Sequence, residues 1–179
     1  MRTSELNAEV LVSSEPLVCA DGLLLTMLKE RATRNVRKRV RLCAHGSTDD
    51  KVHEMLIVQA KGIYIRPHRH LAKAESFHVV EGTADVVLFD DTGGIVNSIP
   101  MGVCSSGRTF YCRIFEPRYH TIVIQSDFFV FHETTEGPLD RSKTEFAPWS
   151  PEEDNAADIS GFMGDLLEKV SVFTRNHTT

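Results

Sequence analysis

The stretch GIYIRPHRHLAKAESFHVVEG, residues 62–82, decides the reading of this chain. Within it His68 and His70 lie two apart, and on a strand such residues project from one face. Both imidazoles therefore enter the same interior, where they can converge on one divalent ion at ~2.1 Å. Glu75 lies an odd number of residues beyond His70, so the chain must turn at Leu71–Ala74 before a carboxylate can return to that ion. His120 comes from a distant strand that only a rolled sheet brings near. Three neutral nitrogens and one carboxylate suit Fe(II), Mn(II), Ni(II), Co(II) or Zn(II), with one or two positions left for water or substrate. The competing reading is a His-x-His pair on a surface strand. Arg66 and Arg69 beside it would repel a cation unless they turn away or meet an anion.

The surroundings of this stretch are β throughout. Between Lys51 and Pro138, segments rich in Val, Ile, Phe and Tyr recur at Val52–Ala60, Gly62–Arg66, Phe77–Val80, Ala84–Phe89, Ile95–Pro100, Arg108–Ile114, Thr121–Ile124 and Phe128–Glu133. Turn chemistry such as Asp90-Asp91-Thr92-Gly93-Gly94 separates them. Short strands joined by tight turns predict an all-β antiparallel sandwich or barrel. A parallel sheet would need crossover helices, and the pattern offers none. Ahead of the β region, a strand at Glu9–Val12 is expected to add to a sheet edge. Leu23, Leu24, Met27 and Leu28 predict a helix over Gly22–Ala32 with Asp21 as its N-cap. Behind it, Ile159, Phe162, Met163, Leu166, Leu167, Val170 and Phe173 repeat at three and four, predicting an amphipathic helix over Asn155–Phe173. The organisation is then an N-terminal extension and helix (1–50), a β domain (51–138) and a C-terminal tail and helix (139–179) packed on it.

Composition narrows the function. The chain has 179 residues, 41% of them hydrophobic, with 20 Lys and Arg against 25 Asp and Glu for a net charge of -5. A core of this size needs no metal merely to fold. The charge balance excludes the basic face of a nucleic-acid binder and a polybasic membrane anchor. No apolar stretch approaches the ~20 residues a membrane helix requires, and the first residues do not read as a secretory signal. Cys19, Cys43, Cys104 and Cys112 form no C-x-x-C pair and are read as free thiols in a reducing, cytoplasmic setting. The basic run from Lys29 to Arg41 is read as a solvated helix end and strand edge, with an anion-binding rim as the sharper alternative.

Gly62, His68, His70, Glu75 and Gly82 fall at the fixed spacings of the first cupin motif, and the chain resembles that superfamily. His120 then takes the place of the histidine of the second motif. Within the cupins, Ile65-Arg66-Pro67-His68-Arg69-His70, Phe89-Asp90-Asp91 and Tyr119-His120-Thr121 are similar to the WbuC group. So is the tail Glu136-Gly137-Pro138-Leu139-Asp140 with Glu145 through Glu153. The similarity covers about residues 21–153. It implies a double-stranded β-helix, or jelly-roll, with one divalent transition metal per chain, and a setting in surface-polysaccharide sugar synthesis.

Around the ion, strand alternation places Tyr64 and Arg66 on the face of His68, and Phe77 on the side of Glu75. His78 is expected to point away. On the last strand Phe129, Phe131 and Glu133 share one face and Phe128, Val130 and His132 the other. Only one of Glu133 and His132 can point inward, and Glu133, which matches a glutamate of the WbuC group, is preferred. His45 and His53 read as surface or turn residues, although His45 matches a WbuC-group histidine and is retained, with Tyr119, Arg66 and Phe77, as a candidate substrate contact. Trp149 is expected to pin the tail to the exterior. Three functions compete. A metal-dependent isomerase or epimerase of a sugar or nucleotide-sugar would use Glu133 or Tyr64 as base and Arg66 to hold an anionic group. The alternatives are an Fe(II) dioxygenase and a non-enzymatic sensor. In each, the partners are a small molecule and a second copy of the chain in a homodimer, with neither nucleic acid nor membrane.

Overall fold

The computed structural model describes residues 2–177. In chain order its strands and α-helices are β1 (Thr3–Asn7), β2 (Val10–Ser13), α1 (Gly22–Arg34), β3 (Arg39–Cys43), β4 (Val52–Ala60), β5 (His68–His70) and β6 (Glu75–Glu81). There follow β7 (Thr83–Phe89), β8 (Ile95–Gly102), β9 (Tyr111–Ile114), β10 (Tyr119–Ile124), β11 (Phe128–Glu136), β12 (Thr144–Phe146) and α2 (Ala156–His177). They form a seven-stranded sheet, β1-β2-β3-β4-β11-β6-β9, facing a five-stranded sheet, β12-β5-β10-β7-β8. The β2–β3 pair is parallel, whereas the central pairs β4–β11, β11–β6 and β10–β7 run antiparallel.

Alternation along the strands builds three apolar layers. Met55, Ile57, Phe77, Val79, Phe129 and Phe131 of the larger sheet meet Ala84, Val86, Ile122 and Ile124 of the smaller one, and this shared interior is the main core. Each outer face is closed by a helix. Leu28 and Ala32 of α1 cover Val40, Leu42, Val58 and Val130, while Leu166 and Val170 of α2 cover Val87, Phe89 and Val123. The helix α1 starts where the Asp21 carboxylate accepts a hydrogen bond from Leu24 N at 2.9 Å, satisfying an otherwise orphaned amide. At Gly82 the backbone has φ +83° and a Cβ would stand 2.0 Å from the Phe128 carbonyl oxygen, so only glycine lets the β6–β7 turn lie against β11.

Several sequence expectations change. Gly62–Arg66 is not a strand: Gly62 takes φ +78°, and Pro67 has no amide hydrogen to give a ladder, so β5 is confined to His68–His70. The expected strand Arg108–Ile114 shortens to Tyr111–Ile114, whereas β11 continues to Glu136. The N-terminal strand gains a hairpin partner in β1, and the polar tail supplies β12. Both helices run longer than the periodicity predicts. The basic run is met largely by carboxylates: Lys29 reaches Glu81 at 2.5 Å, Arg31 Glu5 at 2.6 Å, Arg39 Glu9 at 2.7 Å and Arg37 Glu153 at 2.5 Å. The four cysteines are unpaired. Among the described residues, no helix is long and apolar enough to cross a membrane.

Candidate metal centre

His68 and His120 are direct cross-strand partners on β5 and β10. His70, two residues on, shares their face, and Glu75 opens β6 on the opposite sheet. The two sheets thus deliver three imidazoles and a carboxylate whose nearest donor atoms all lie within 4.8 Å of one another. Glu75 Oε1 is 2.5 Å from His120 Nε2, and Oε2 is 3.3 Å from His70 Nε2. Both Glu75 and His120 are buried, at 5% and 3% exposure.

The outer nitrogens are held as well. Nδ1 of His68 lies 2.9 Å from the Arg66 carbonyl oxygen, and Nδ1 of His120 lies 3.0 Å from that of Arg118. A carbonyl only accepts, so each Nδ1 must carry a proton, and in the neutral ring Nε2 is then the nitrogen whose lone pair faces the cluster. His70 Nδ1 stands 3.1 Å from Thr144 Oγ1 of β12. Ligand imidazoles need this second set of partners to fix tautomer and ring direction.

Electrostatics favour the same reading. Burial, with His120 adding to it, pushes His68 down to about 3, so this ring is neutral at physiological pH. Burial works to raise Glu75, yet His120 and His70 outweigh it and hold the carboxyl well below the usual range. Burial also opposes a proton on His120, but Glu75 prevails and raises it. Glu75 Oε1 accepts no hydrogen bond of acceptable geometry even though His120 Nε2 is so near. A buried acceptor without an aligned donor, among convergent lone pairs, is a donor set that fits a divalent cation.

The other candidate residues divide. Glu133 points inward, half-buried, opposite Phe77 on β6 and Met55 on β4. Burial, reinforced by Glu75, raises its carboxyl to about 7, against the pull of Lys73 and Arg41. His132 faces outward, 3.8 Å from Glu54, which decides between the two. Phe77 is 2% exposed and meets Phe131 edge-on, walling the interior without offering open surface. Arg66 lies over the Phe146 ring at 5.0 Å, with Nε 3.3 Å from Ser150 Oγ, and that ring is 6.2 Å from His68. It is one side chain removed from the donor set.

Tyr64 donates its hydroxyl to the Pro151 carbonyl at 2.8 Å and packs edge-on against Phe162 of α2, because the alternation that would turn it inward needs a strand that does not form. Tyr119, next to inward His120, faces outward: its hydroxyl donates to Glu145, and the Arg69 guanidinium lies 4.4 Å over its ring. Arg69 also binds Asp91 at 3.0 Å and Glu145 at 2.8 Å, so its charge is turned away from the centre. His45 stacks on His53 with ring centroids 4.1 Å apart and lies outside the donor cluster. His53 is not a surface residue but buried at 4% exposure, its Nε2 lacking a partner. His78 is exposed, as expected. Sequence reasoning missed Thr144 and the carbonyls of Arg66 and Arg118; a carbonyl leaves no mark in residue identity, and Thr144 lies in a polar tail with no periodicity.

Protein SO0799 from Shewanella oneidensis has a similar structure, with TM-score 0.51 and 11% identity over 63% of this chain and 75% of that one. An uncharacterized conserved protein with a double-stranded β-helix domain from Klebsiella pneumoniae gives 0.47 and 11% over 61% and 79%. The capsular polysaccharide assembling protein CapF from Staphylococcus aureus gives 0.45 and 21% over 55% of this chain and 27% of that one, so the chain spans about a quarter of that protein. The facing sheets are those of a double-stranded β-helix, and the fold is that of the cupins. A family model described as a domain of unknown function, DUF6016, matches residues 20–101. No curated protein matches the chain.

Proposed function

We propose that this chain is a metal-dependent enzyme that isomerises or epimerises a small oxygen-rich substrate, such as a sugar or nucleotide-sugar. The observation that carries it is the convergence of three Nδ1-anchored imidazoles and buried Glu75 on one point. When bound, one divalent ion, Fe(II), Mn(II), Ni(II), Co(II) or Zn(II), would polarise a carbonyl there and favour loss of an adjacent proton. Glu133 would take that proton and return it, since it points into the same interior and burial raises its carboxyl from the ordinary range toward one that can hold a proton as well as release it. The core around Phe77 and Phe131 keeps water from the inner side. The WbuC-group resemblance supports a carbohydrate setting, and the reading extends to a cytoplasmic homodimer, paired through an edge strand and the terminal helices, with no nucleic-acid or membrane partner. Residues 1–50 and 139–179 belong on this view to the same domain as 51–138.

Metal analysis of protein purified without added metal tests the centre. About one ion per chain is expected, falling several-fold in His70→Ala; full stoichiometry in that variant would remove His70 from the ligand set. Product analysis over a sugar panel then tests the reaction. The donor set of three histidines and a glutamate also suits an Fe(II) dioxygenase, and oxygen uptake matching turnover in iron-loaded protein would favour that reading. Ligand binding without product or oxygen uptake would favour a sensor.

A further inference from the structure

A cavity of about 290 Å³ opens beside His70, between the Leu71–Ala74 turn and the segment after β9. It is large enough for a small ligand with part of its surface in solvent. Lys73 and Arg113 supply its cations, Glu136 its acid, and Leu71, Phe115 and Pro117 its apolar wall. The Glu136 carboxylate is already engaged, accepting from Ala74 N at 2.8 Å, so it fixes the turn that carries Lys73 toward Glu75. Lys73 and Arg113 are the two cations that line this cavity. Lys29, Arg31, Arg37, Arg39 and Arg69 each meet a carboxylate, whereas no ion pair joins Lys73 or Arg113 to an acid among the described residues. These two cations flank a cavity that reaches a candidate ligand imidazole, and Lys73 also acts on the Glu133 carboxyl.

We propose that Lys73 and Arg113 bind the anionic group, a phosphate or carboxylate, of the substrate in the cavity beside His70. This rests on the reading of the His cluster as the reacting centre, and it names the substrate class: a small organic anion whose uncharged part lies toward His70. The Arg113 guanidinium can fork onto two oxygens of one anion, and Lys73 adds a point charge from the opposite side. Exposed Phe115, at 72%, offers the flat apolar face against which the C–H side of a sugar ring can lie.

The test uses full-length protein stripped of metal, so that the ion itself cannot hold the anion, and titrates it by calorimetry with inorganic phosphate and, separately, acetate. Binding of at least one anion is expected. Lys73→Gln and Arg113→Gln should each weaken it about tenfold, the loss of one charged hydrogen-bonding partner. Lys169→Gln, on α2 away from the cavity, should change nothing. The two anions distinguish a phosphorylated from a carboxylated substrate. Equal affinity in wild type and both cavity variants, an equal loss in Lys169→Gln, or no binding of either anion would overturn the proposal. Cobalt(II) stoichiometry is measured on the same proteins. Full cobalt uptake with unaltered anion binding in the variants removes this site and spares the metal reading. Cavity-dependent anion binding without cobalt uptake keeps the site and removes that reading.

Discussion

Replacing Glu133 by glutamine in metal-free protein should stabilise the fold above neutral pH and leave it nearly unchanged in acid. The carboxyl sits inside the sandwich opposite Phe77 and Met55, and burial together with Glu75 raises it from 4.5 to about 7. Below about pH 4.5 it is protonated whether the chain is folded or not, and it costs nothing. Between about pH 4.5 and 7 the unfolded chain has released the proton that the native state keeps, so stability falls as pH rises. Above 7 the native state carries the ionised group at its full cost, about 3 kcal/mol. Glutamine keeps the shape and never ionises. Urea denaturation of wild type and Glu133→Gln at pH 4.5, 6 and 8 should show a difference growing from near zero to about 3 kcal/mol, or a Tm gain of about 6–12 °C for a chain this long. A dication beside Glu75 would attract the ionised form, so loading metal should shrink the gap at pH 8. A difference independent of pH, or a less stable variant at pH 8, would refute the reasoning.

Other substitutions report on single contacts. Thr144→Val removes the hydroxyl partner of His70 Nδ1 while keeping the side-chain shape, and should weaken metal affinity about 10-fold or more, read by competition with a chelating dye. Trp149→Ala removes a ring packed against Phe89 at 5.0 Å and Phe162 at 6.2 Å and should cost about 3 kcal/mol in denaturation. Trp149→Phe should cost much less, because the indole Nε1 has no hydrogen-bond partner to lose. Leu28→Ala, at a position with 0% exposure under α1, should lose about 2–5 kcal/mol by the same measurement.

Strand alternation explains both what was legible in the sequence and what was not. It gave the inward directions of His68, His70, Phe129 and Phe131 because each lies within a regular strand, and it left one of Glu133 and His132 to face in, between which the family resemblance chose. It also accounts for Tyr119: once His120 faces in, its neighbour faces out. Tyr64 and Arg66 escaped it for the opposite reason. The rule has no force across Gly62–Pro67, where a left-handed glycine and a proline break the ladder. The motif glycines were visible as spacing, but the steric demand at Gly82 lies in a carbonyl on β11 that no local pattern reveals. Short β12 lacked any signal, since three residues cannot display a period.

That strand changes how the C-terminal region relates to the centre. Thr144 and Phe146 stand in register with His70 and His68, and Glu145 between them stands opposite Arg69. One face of β12 therefore carries the hydroxyl that orients a ligand ring, and the other anchors Arg69 and Tyr119 on the outside. The same tail continues to Ala147 and Trp149, which fill the layer between the smaller sheet and α2. Had the tail been an appendage, its loss would cost packing alone. Because β12 closes the edge of the sheet that carries His68, His70 and His120, the order of the candidate donor set and the docking of α2 share one segment of chain, Thr144 to Trp149.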